Sequence, residues 1–305
     1  MRLKLALIVN PIAGQGRAEK ALPQVKRKLK EVFNLQIYRT QRVGDGILTA
    51  KRALNQDCQI IVAMGGDGTV FEVVNGIIGS KAILGVIPCG TGNVFAAEMG
   101  IPFNLFRACE VILRGSARNI DVGRACPPSP LTPGAGKRVN DRYFVLMAGV
   151  GFDAQIVQEV NPEVKRMLKD LAYILTGIKT LFTYKPTLME IELDGEEKEK
   201  GYFVVVGNAK CYAGRYFSIT TQASIEDGWL DICIFKKGDI ASFVRYITGV
   251  LLRKHLAYSD VYYKRAKRVQ ITASVSTLVQ ADGELIGQTP MHFAILPHAV
   301  SVITP

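Results

Sequence analysis

Histidine and tryptophan are scarce: three His and one Trp in 305 residues. His255, His292 and His298 lie far from any cysteine cluster, which leaves a histidine-based metal centre or a Ser-His-Asp triad without support. The six cysteines (Cys58, Cys89, Cys109, Cys126, Cys211, Cys233) contain no C-x-x-C pair and no short spacing that would define a zinc site or a disulfide framework. They read as reduced, mostly buried thiols of a cytoplasmic protein. No apolar run reaches the length of about 18 residues that a spanning helix needs; the uncharged run Ala82 to Ala97 is broken by Pro88, Gly90, Gly92 and Asn93. The start, Met1 to Val9, resembles a signal peptide, but its apolar run stops at Asn10-Pro11, and we read it as a first strand. The common nucleotide signatures fail as well. There is no G-x-x-x-x-G-K-[ST] and no His-Arg-Asp loop, and Gly66-Asp67-Gly68 is followed by Phe71 where a third glycine would complete G-x-G-x-x-G.

What is present points to two domains and an anionic partner. A chain of this length is comfortable for two cores. The formal charge of +11 is partly clustered, at Lys26-Arg27-Lys28 with Lys30, Lys165-Arg166 with Lys169, and Lys264-Arg265 with Lys267-Arg268. Nucleic acid, an anionic membrane and phosphorylated small molecules all match that sign, and a solvated face explains any single run. Leu3 to Val9, Leu35 to Arg39, Cys58 to Ala63 and Ala82 to Ile87 read as strands alternating with helices, the first of which Pro23 should kink or begin. This predicts an open α/β sheet over about the first 120 residues, with Asn10 to Gly16, Gly65 to Thr69 and Gly90 to Asn93 emerging together at the carboxyl ends of the strands. Beyond Gly123 a proline-rich loop (Pro127 to Gly136) inside a hairpin leads to short alternating strands: Tyr143 to Ala148, Leu188 to Leu193, Tyr202 to Gly207, Leu230 to Phe235, Arg268 to Ile271 and Leu278 to Ala281. That half predicts an antiparallel β domain, with helical segments over Pro162 to Thr183 and Ile240 to Leu252.

Gly65-Gly66-Asp67-Gly68-Thr69 carries the chemistry most directly. Its glycines let a ligand approach the backbone, and the helix that follows offers unpaired N–H groups and a positive dipole end to an anion. Asp67 opposes phosphate unless a cation, hydroxyl or water mediates. Asp227-Gly228 and Asp282-Gly283 have, by themselves, the composition of hairpin turns.

Taken together, the motifs resemble the diacylglycerol-kinase catalytic family, which includes bacterial lipid kinases and sphingosine-type kinases. The resemblance runs the length of the chain. It takes in Asn10-Pro11-x-Ala13-Gly14-x-Gly16, Gly65 to Glu72 with Asn75-Gly76, Pro88-x-Gly90-Thr91-Gly92-Asn93 and Ile120-Asp121-Val122-Gly123. It continues through Gly149-x-Gly151-Phe152-Asp153-Ala154, Gly207-Asn208, Asp227-Gly228-x-Leu230-Asp231 and Asp282-Gly283-Glu284. It implies a nucleotide-binding α/β domain over 1–123, of the kind shared with NAD kinases. A β-sandwich-like lipid-substrate domain follows over 124–290, with room for the tail at 291–305 to return to the first, and the active cleft lies between the two. It implies transfer of the γ-phosphoryl group of ATP to a lipid hydroxyl. The nucleotide would be held by Asn10, Thr40, Gly65, Gly66, Asp67, Gly68, Thr69, Val70, Phe71, Glu72, Gly90, Thr91 and Asn93. Glu284 matches the family's proton acceptor, with Asp67 acting through metal, water or hydrogen bonds. Asp227 matches a Mg²⁺ ligand, accompanied by the carbonyls of Ser224 and Trp229.

One departure stands out: Val94 follows Asn93 where bacterial lipid kinases commonly carry aspartate, as sphingosine-type members also lack it. The expected protein is therefore a cytoplasmic, peripherally membrane-associated lipid kinase using ATP and Mg²⁺, with diacylglycerol as leading acceptor and no nucleic-acid partner. A sphingoid base or another lipid alcohol is the alternative acceptor. An NAD kinase-like enzyme and a non-catalytic nucleotide- or lipid-binding regulator are the rival classes. Pro162 to Thr183, with Lys165, Arg166, Lys169 and Lys179, is a candidate contact with an anionic membrane, or packs on the β domain. Oligomeric state is left open.

Overall fold

The computed structural model describes residues 2–128, 141–160, 176–211 apart from 178 and 182, and 217–305. Most of the proline-rich loop and most of the expected 162–183 helix, including Lys165, Arg166 and Lys169, lie outside the described residues. The chain forms two compact units, 1–120 with 298–305, and 121–297.

In the first unit, strands β1 (Lys4–Val9), β2 (Asn34–Arg39), β3 (Ile60–Gly65) and β4 (Ile83–Pro88) form a parallel sheet in the order β2-β1-β3-β4. The end of the last strand, β16 (Met291–Thr304), lies parallel to β4 at Ser301 and Val302. β3 is buried along its whole length and β1 and β4 at every residue but the first, as continuous apolar strands covered on both faces require. Leu22, Val25 and Leu29 of α1 (Ala13–Val32) and Cys109 and Ile112 of α5 (Leu105–Arg114) pack with Leu5, Leu7 and Val9 of β1. Helices α2 (Asp45–Asn55) and α3 (Asp67–Ile77) meet at small residues, a Cβ on Gly76 falling 2.5 Å from that of Ala50. The break expected at Pro23 is found elsewhere. α1 stays helical through the proline and departs from helical dihedrals at Gly14, Gln15 and Gly16, with φ of 61, 60 and 82°. Two of these three positions are glycine, the residue that tolerates positive φ.

The second unit contains a six-stranded antiparallel sheet in the order β12-β11-β10-β7-β14-β15. Its strands are β7 (Met147–Val150), β10 (Phe203–Gly207), β11 (Leu230–Phe235), β12 (Val261–Ala266), β14 (Leu278–Ala281) and β15 (Glu284–Gln288). A second antiparallel set joins β9 (Glu197–Gly201), β8 (Met189–Leu193), β13 (Arg268–Ala273) and the first residues of β16. β5 (Ser116–Cys126) and β6 (Arg142–Phe144) pair as a hairpin around the proline-rich loop. The single strand expected over Tyr143 to Ala148 is in fact two. β6 and β7 are interrupted at Val145 and Leu146, whose N–H groups turn to a carboxylate distant in sequence. β9, β12 and β15 add to the strands that the sequence predicts. β9 reads Glu-Lys-Glu-Lys-Gly and offers no apolar alternation, and Lys198 and Lys200 instead pair across to Glu192 and Glu190 on β8. Helix α6 (Phe152–Glu159) and the later helix α7 (Ile240–Leu251) contribute Phe152, Phe243 and Tyr246 to an aromatic cluster with Phe235. An open α/β unit followed by an antiparallel β unit is the fold class that the sequence predicts.

Candidate active site

The three glycine loops of the first unit meet. Asn10 donates its N–H to Met64 O at 3.0 Å, and a Cβ on Gly14 would fall 2.0 Å from Cys89 O. Gly66 and Gly90 touch backbone to backbone, so that a Cβ on Gly90 would stand 2.5 Å from the Gly66 Cα. The carbonyl of Gly65 accepts from both Cys89 N (2.7 Å) and Gly90 N (3.2 Å). Gly66, in extended conformation, precedes α3, and no side chain caps that helix. The N–H of Thr69 already turns to Gly66 O at 3.0 Å and that of Asp67 to its own carboxylate, which leaves the N–H of Gly68 and the dipole end of the helix for an anion.

Asp67 opens α3, and its Oδ1 accepts the N–H of Phe95 at 3.0 Å, at the start of α4 (Val94–Glu98). Burial pushes its carboxyl above the ordinary aspartate value, while hydrogen bonds from the backbones of Phe95, Val94 and Asn93 act the other way. Asp67 thus ties the first glycine turn to the second. Asn93, in left-handed conformation (φ 52°), donates from Nδ2 to Gly90 O, and its buried Oδ1 has no partner. Thr91 is exposed, whereas Thr40 is buried and bonds Val9 O through its N–H at 2.9 Å.

Other expected nucleotide contacts are occupied by the fold. The Val70 and Phe71 side chains are buried, and the Thr69 hydroxyl turns back toward Gly65. Glu72 spends both oxygens on the start of α2, accepting from Gly44 N (2.6 Å) and Gly46 N (2.7 Å). Arg17, which sequence reasoning missed, reaches Pro88 O and Gly90 O at 3.3 and 3.4 Å and places a guanidinium on the second turn. No local pattern around residue 17 announces this. Cys89, beneath the turn, is pushed up to about 11 by burial and is a poor nucleophile.

In the second unit, Asp282 and Gly283 join β14 to β15 with φ of 49 and 85°, the left-handed pair of a two-residue hairpin. The Asp282 carboxylate accepts three backbone N–H groups, from Val145 (2.8 Å), Leu146 (2.9 Å) and Met147 (3.0 Å). Gln280 Oε1 accepts from Gly283 N, and its amide donates to the buried Asp153 carboxylate. Glu284, the first residue of β15 and half-buried, is set by this turn.

The loop before β11 is fixed by another carboxylate. Buried Asp121 accepts from Gly228 N at 2.6 Å, and Asn208 Nδ2 bridges Asp121 O and Val145 O. Asp227 Oδ1 accepts from Trp229 N at 3.2 Å, and its Oδ2 lies 3.4 Å from Arg265 Nη2. Arg265 also approaches Asp231, which burial pushes up and to which Tyr263 donates at 2.7 Å. Among the described residues no group of three or more His, Cys, Asp or Glu side chains is placed to hold a metal. The expected set of one carboxylate and two carbonyls is nonetheless an all-oxygen one, the chemistry Mg²⁺ prefers. Both Asp227 oxygens have partners here, so Mg²⁺ there would have to displace the Arg265 guanidinium, whose 3.4 Å contact is longer than an ordinary hydrogen bond. Two neighbours of Arg265 are engaged inside the unit, Lys264 on Glu197 and Lys267 over the Trp229 ring.

Residues 4–125 match the family model described as the diacylglycerol kinase catalytic domain, and residues 147–304 match the YegS C-terminal NAD kinase beta sandwich-like domain. The chain is 33% identical to a diacylglycerol kinase of Bacillus subtilis (strain 168) over 98% of this chain and 95% of that one. It is 29% identical to a diacylglycerol kinase of Staphylococcus aureus (strain Newman) over 100% and 93%. Two crystal structures of Bacillus anthracis str. Sterne proteins superpose with TM-scores of 0.80 and 0.73, at 28% and 26% identity. Each covers 99% of this chain, with 95% and 97% of its own length aligned, and the second is described as a diacylglycerol kinase. Glycine turns joined backbone to backbone, a β-sandwich-like unit holding the Asp-Gly-Glu turn, and these full-length matches agree: the chain belongs to the diacylglycerol kinase catalytic family, enzymes that transfer phosphate to an alcohol group.

Proposed function

We propose that the protein transfers the γ-phosphoryl group of ATP to the hydroxyl of a membrane lipid, with diacylglycerol as acceptor and phosphatidic acid as product. The observation that carries this reading is the uncapped start of α3 set against the Gly90 turn, a backbone cradle for phosphate that needs no P-loop lysine. Asn10, Thr40, Gly65 to Glu72, Gly90, Thr91 and Asn93 form its surroundings. Glu72, Val70 and Phe71 act there through the backbone they shape.

In the reaction, the lipid oxygen forms a bond to the γ-phosphorus as the bridging P–O bond to ADP breaks. Glu284 takes the hydroxyl proton. Asp67 orients the cradle by holding the α4 backbone beside it. Mg²⁺ bound with ATP would offset phosphate charge. A second Mg²⁺ would be held by Asp227 with the carbonyls of Ser224 and Trp229. Diacylglycerol is the substrate named for the relatives, and it leads here on that ground. Val94, buried at the start of α4, keeps a sphingoid base in the comparison.

The test is transfer of labelled γ-phosphate from ATP to diacylglycerol, sphingoid base, phosphatidylglycerol and NAD, with Asp67→Ala and Glu284→Ala run beside the parent. Labelled phosphatidic acid that disappears in both variants is the expected result. Labelling that survives both removes the assigned roles. Exclusive labelling of NAD or of the sphingoid base replaces the acceptor, and no labelling at all favours a non-catalytic binder.

A further inference from the structure

Helix α7 is apolar on two faces, and only one of them serves the fold. Phe243, Tyr246 and Gly249 are buried, the two aromatic rings packing on Phe152 and Phe235. Ile240, Val244, Ile247 and Leu251 follow the i, i+4, i+7, i+11 spacing that places side chains in one stripe along a helix. This stripe faces outward: Ile240 is 51% exposed, Val244 49% and Leu251 52%, with Ile247 half-buried between them, and Leu252, the residue that caps the helix, is 61% exposed. An outward stripe of large aliphatic side chains is costly in water unless something covers it.

The ends of the stripe indicate what does. Exposed Lys237 precedes it and exposed Arg253 and Lys254 follow it. The acidic residue at its head, Asp239, is exposed but engaged as the helix cap, accepting from the N–H and hydroxyl of Ser242. Arg245, alongside, is already paired with Asp260. At the head of the helix an open depression of about 540 Å³ is lined by Pro186, Tyr202, Lys236, Lys237, Gly238 and Asp239. Aliphatic side chains flanked by exposed cations, of which Lys237 lies near Asp239, suit a bilayer surface, with the chains in the acyl boundary and the cations at anionic headgroups.

We propose that α7 docks the protein on anionic lipid membranes, Ile240, Val244, Leu251 and Leu252 entering the interface and Lys237, Arg253 and Lys254 contacting headgroup phosphates. The choice of a bilayer as occupant rests on the lipid-acceptor reading above. The stripe itself rests on exposure and spacing alone. It is separate from the Pro162 to Thr183 segment singled out in the sequence.

Co-sedimentation of the full chain with vesicles of phosphatidylcholine and phosphatidylglycerol in equal parts, without nucleotide, tests it. The parent should sediment, and Val244→Glu with Leu251→Glu should weaken binding about tenfold or more, as expected for removing two aliphatic anchors and adding like charge. Phosphorylation of a short-chain diacylglycerol dispersed without vesicles, and the melting temperature, should stay at parental values. Should the double variant fold poorly, Leu252→Glu, outside the helix, reads the same effect. Lys237→Gln with Lys254→Gln should weaken binding to anionic vesicles and not to pure phosphatidylcholine. Unchanged sedimentation of the variants overturns the proposal. So does a parent that fails to sediment, or a change confined to oligomeric mass, which would make the stripe an interface between copies. Loss of vesicle binding in a protein that phosphorylates no lipid would leave the docking surface standing and remove the lipid-kinase reading.

Discussion

The two units build their glycine turns by opposite means. In the first, the turns after β3 and β4 lie so close that side chains are excluded, and Gly66 and Gly90 are there for what they lack. In the second, a Cβ on Gly283 would meet nothing within 4 Å, and the turn is held by its neighbour, whose carboxylate gathers three N–H groups from residues 145–147. A steric turn tolerates no added atom. A turn held by a carboxylate tolerates added atoms and fails when the charge is removed. The same glycine-rich spelling thus marks two kinds of construction, which substitution can tell apart.

The largest expected effect is on chemistry. Glu284→Gln should lower kcat by about 10²–10⁴, the range for a lost general base, with an unchanged urea midpoint. A matching loss of stability would show that the residue serves the turn. Next comes Gly90→Ala, which should cost about 3 kcal/mol as an overpacked contact between backbones. Gly283→Ala, with open space but a φ of 85°, should cost only about 1–2 kcal/mol. Equal losses in urea denaturation would erase the distinction drawn here. Asp282→Ala should cost about 2–3 kcal/mol, since three N–H groups lose a charged acceptor, and should lower kcat with it by loosening Glu284.

Smaller effects should separate the two other aspartates. Asp227→Asn should abolish any rise in melting temperature that Mg²⁺ gives over EDTA in the absence of nucleotide, because a ligand bound only by the folded state stabilises by mass action. If Mg²⁺ shifts parent and variant alike, Asp227 is not its ligand. For Asp67, burial raises the folded-state carboxyl above its unfolded value. Its contribution to stability is therefore full below about pH 3.9, the unfolded value, and is lost as pH rises through the higher folded value. The melting temperature of the parent minus that of Asp67→Asn should fall as pH rises from acid toward neutral. A difference that grows over that range reverses the sign of the assigned effect.

Much of the first unit was legible because its signals are local. β1, β3 and β4 are unbroken apolar runs, each followed by a glycine loop, and a parallel sheet brings such loops to one edge. The second unit was legible in class and less so in detail. β9 is stabilised by cross-strand Lys–Glu pairs, so nothing apolar marks it, and the break between β6 and β7 is caused by Asp282, more than 130 positions away. The functions of Glu72, Asp121 and Arg17 stayed hidden for the same reason: each acts on backbone groups remote in sequence. Family motifs named Asp121, Asn208 and Asp282 without saying what they do. In this fold all three are scaffolding around backbone N–H or C=O groups.

The carbonyl oxygen of Gly65, shared by the N–H groups of Cys89 and Gly90, makes one further point. Two bonds from the second loop to one atom of the first take away the independent freedom of the two turns. On the proposed reading, a nucleotide there would meet a mould already set, with little entropy left to surrender on binding. The same coupling constrains how the sequence can drift: a change at residue 66 is felt at residue 90, and the two turns can vary only as a pair.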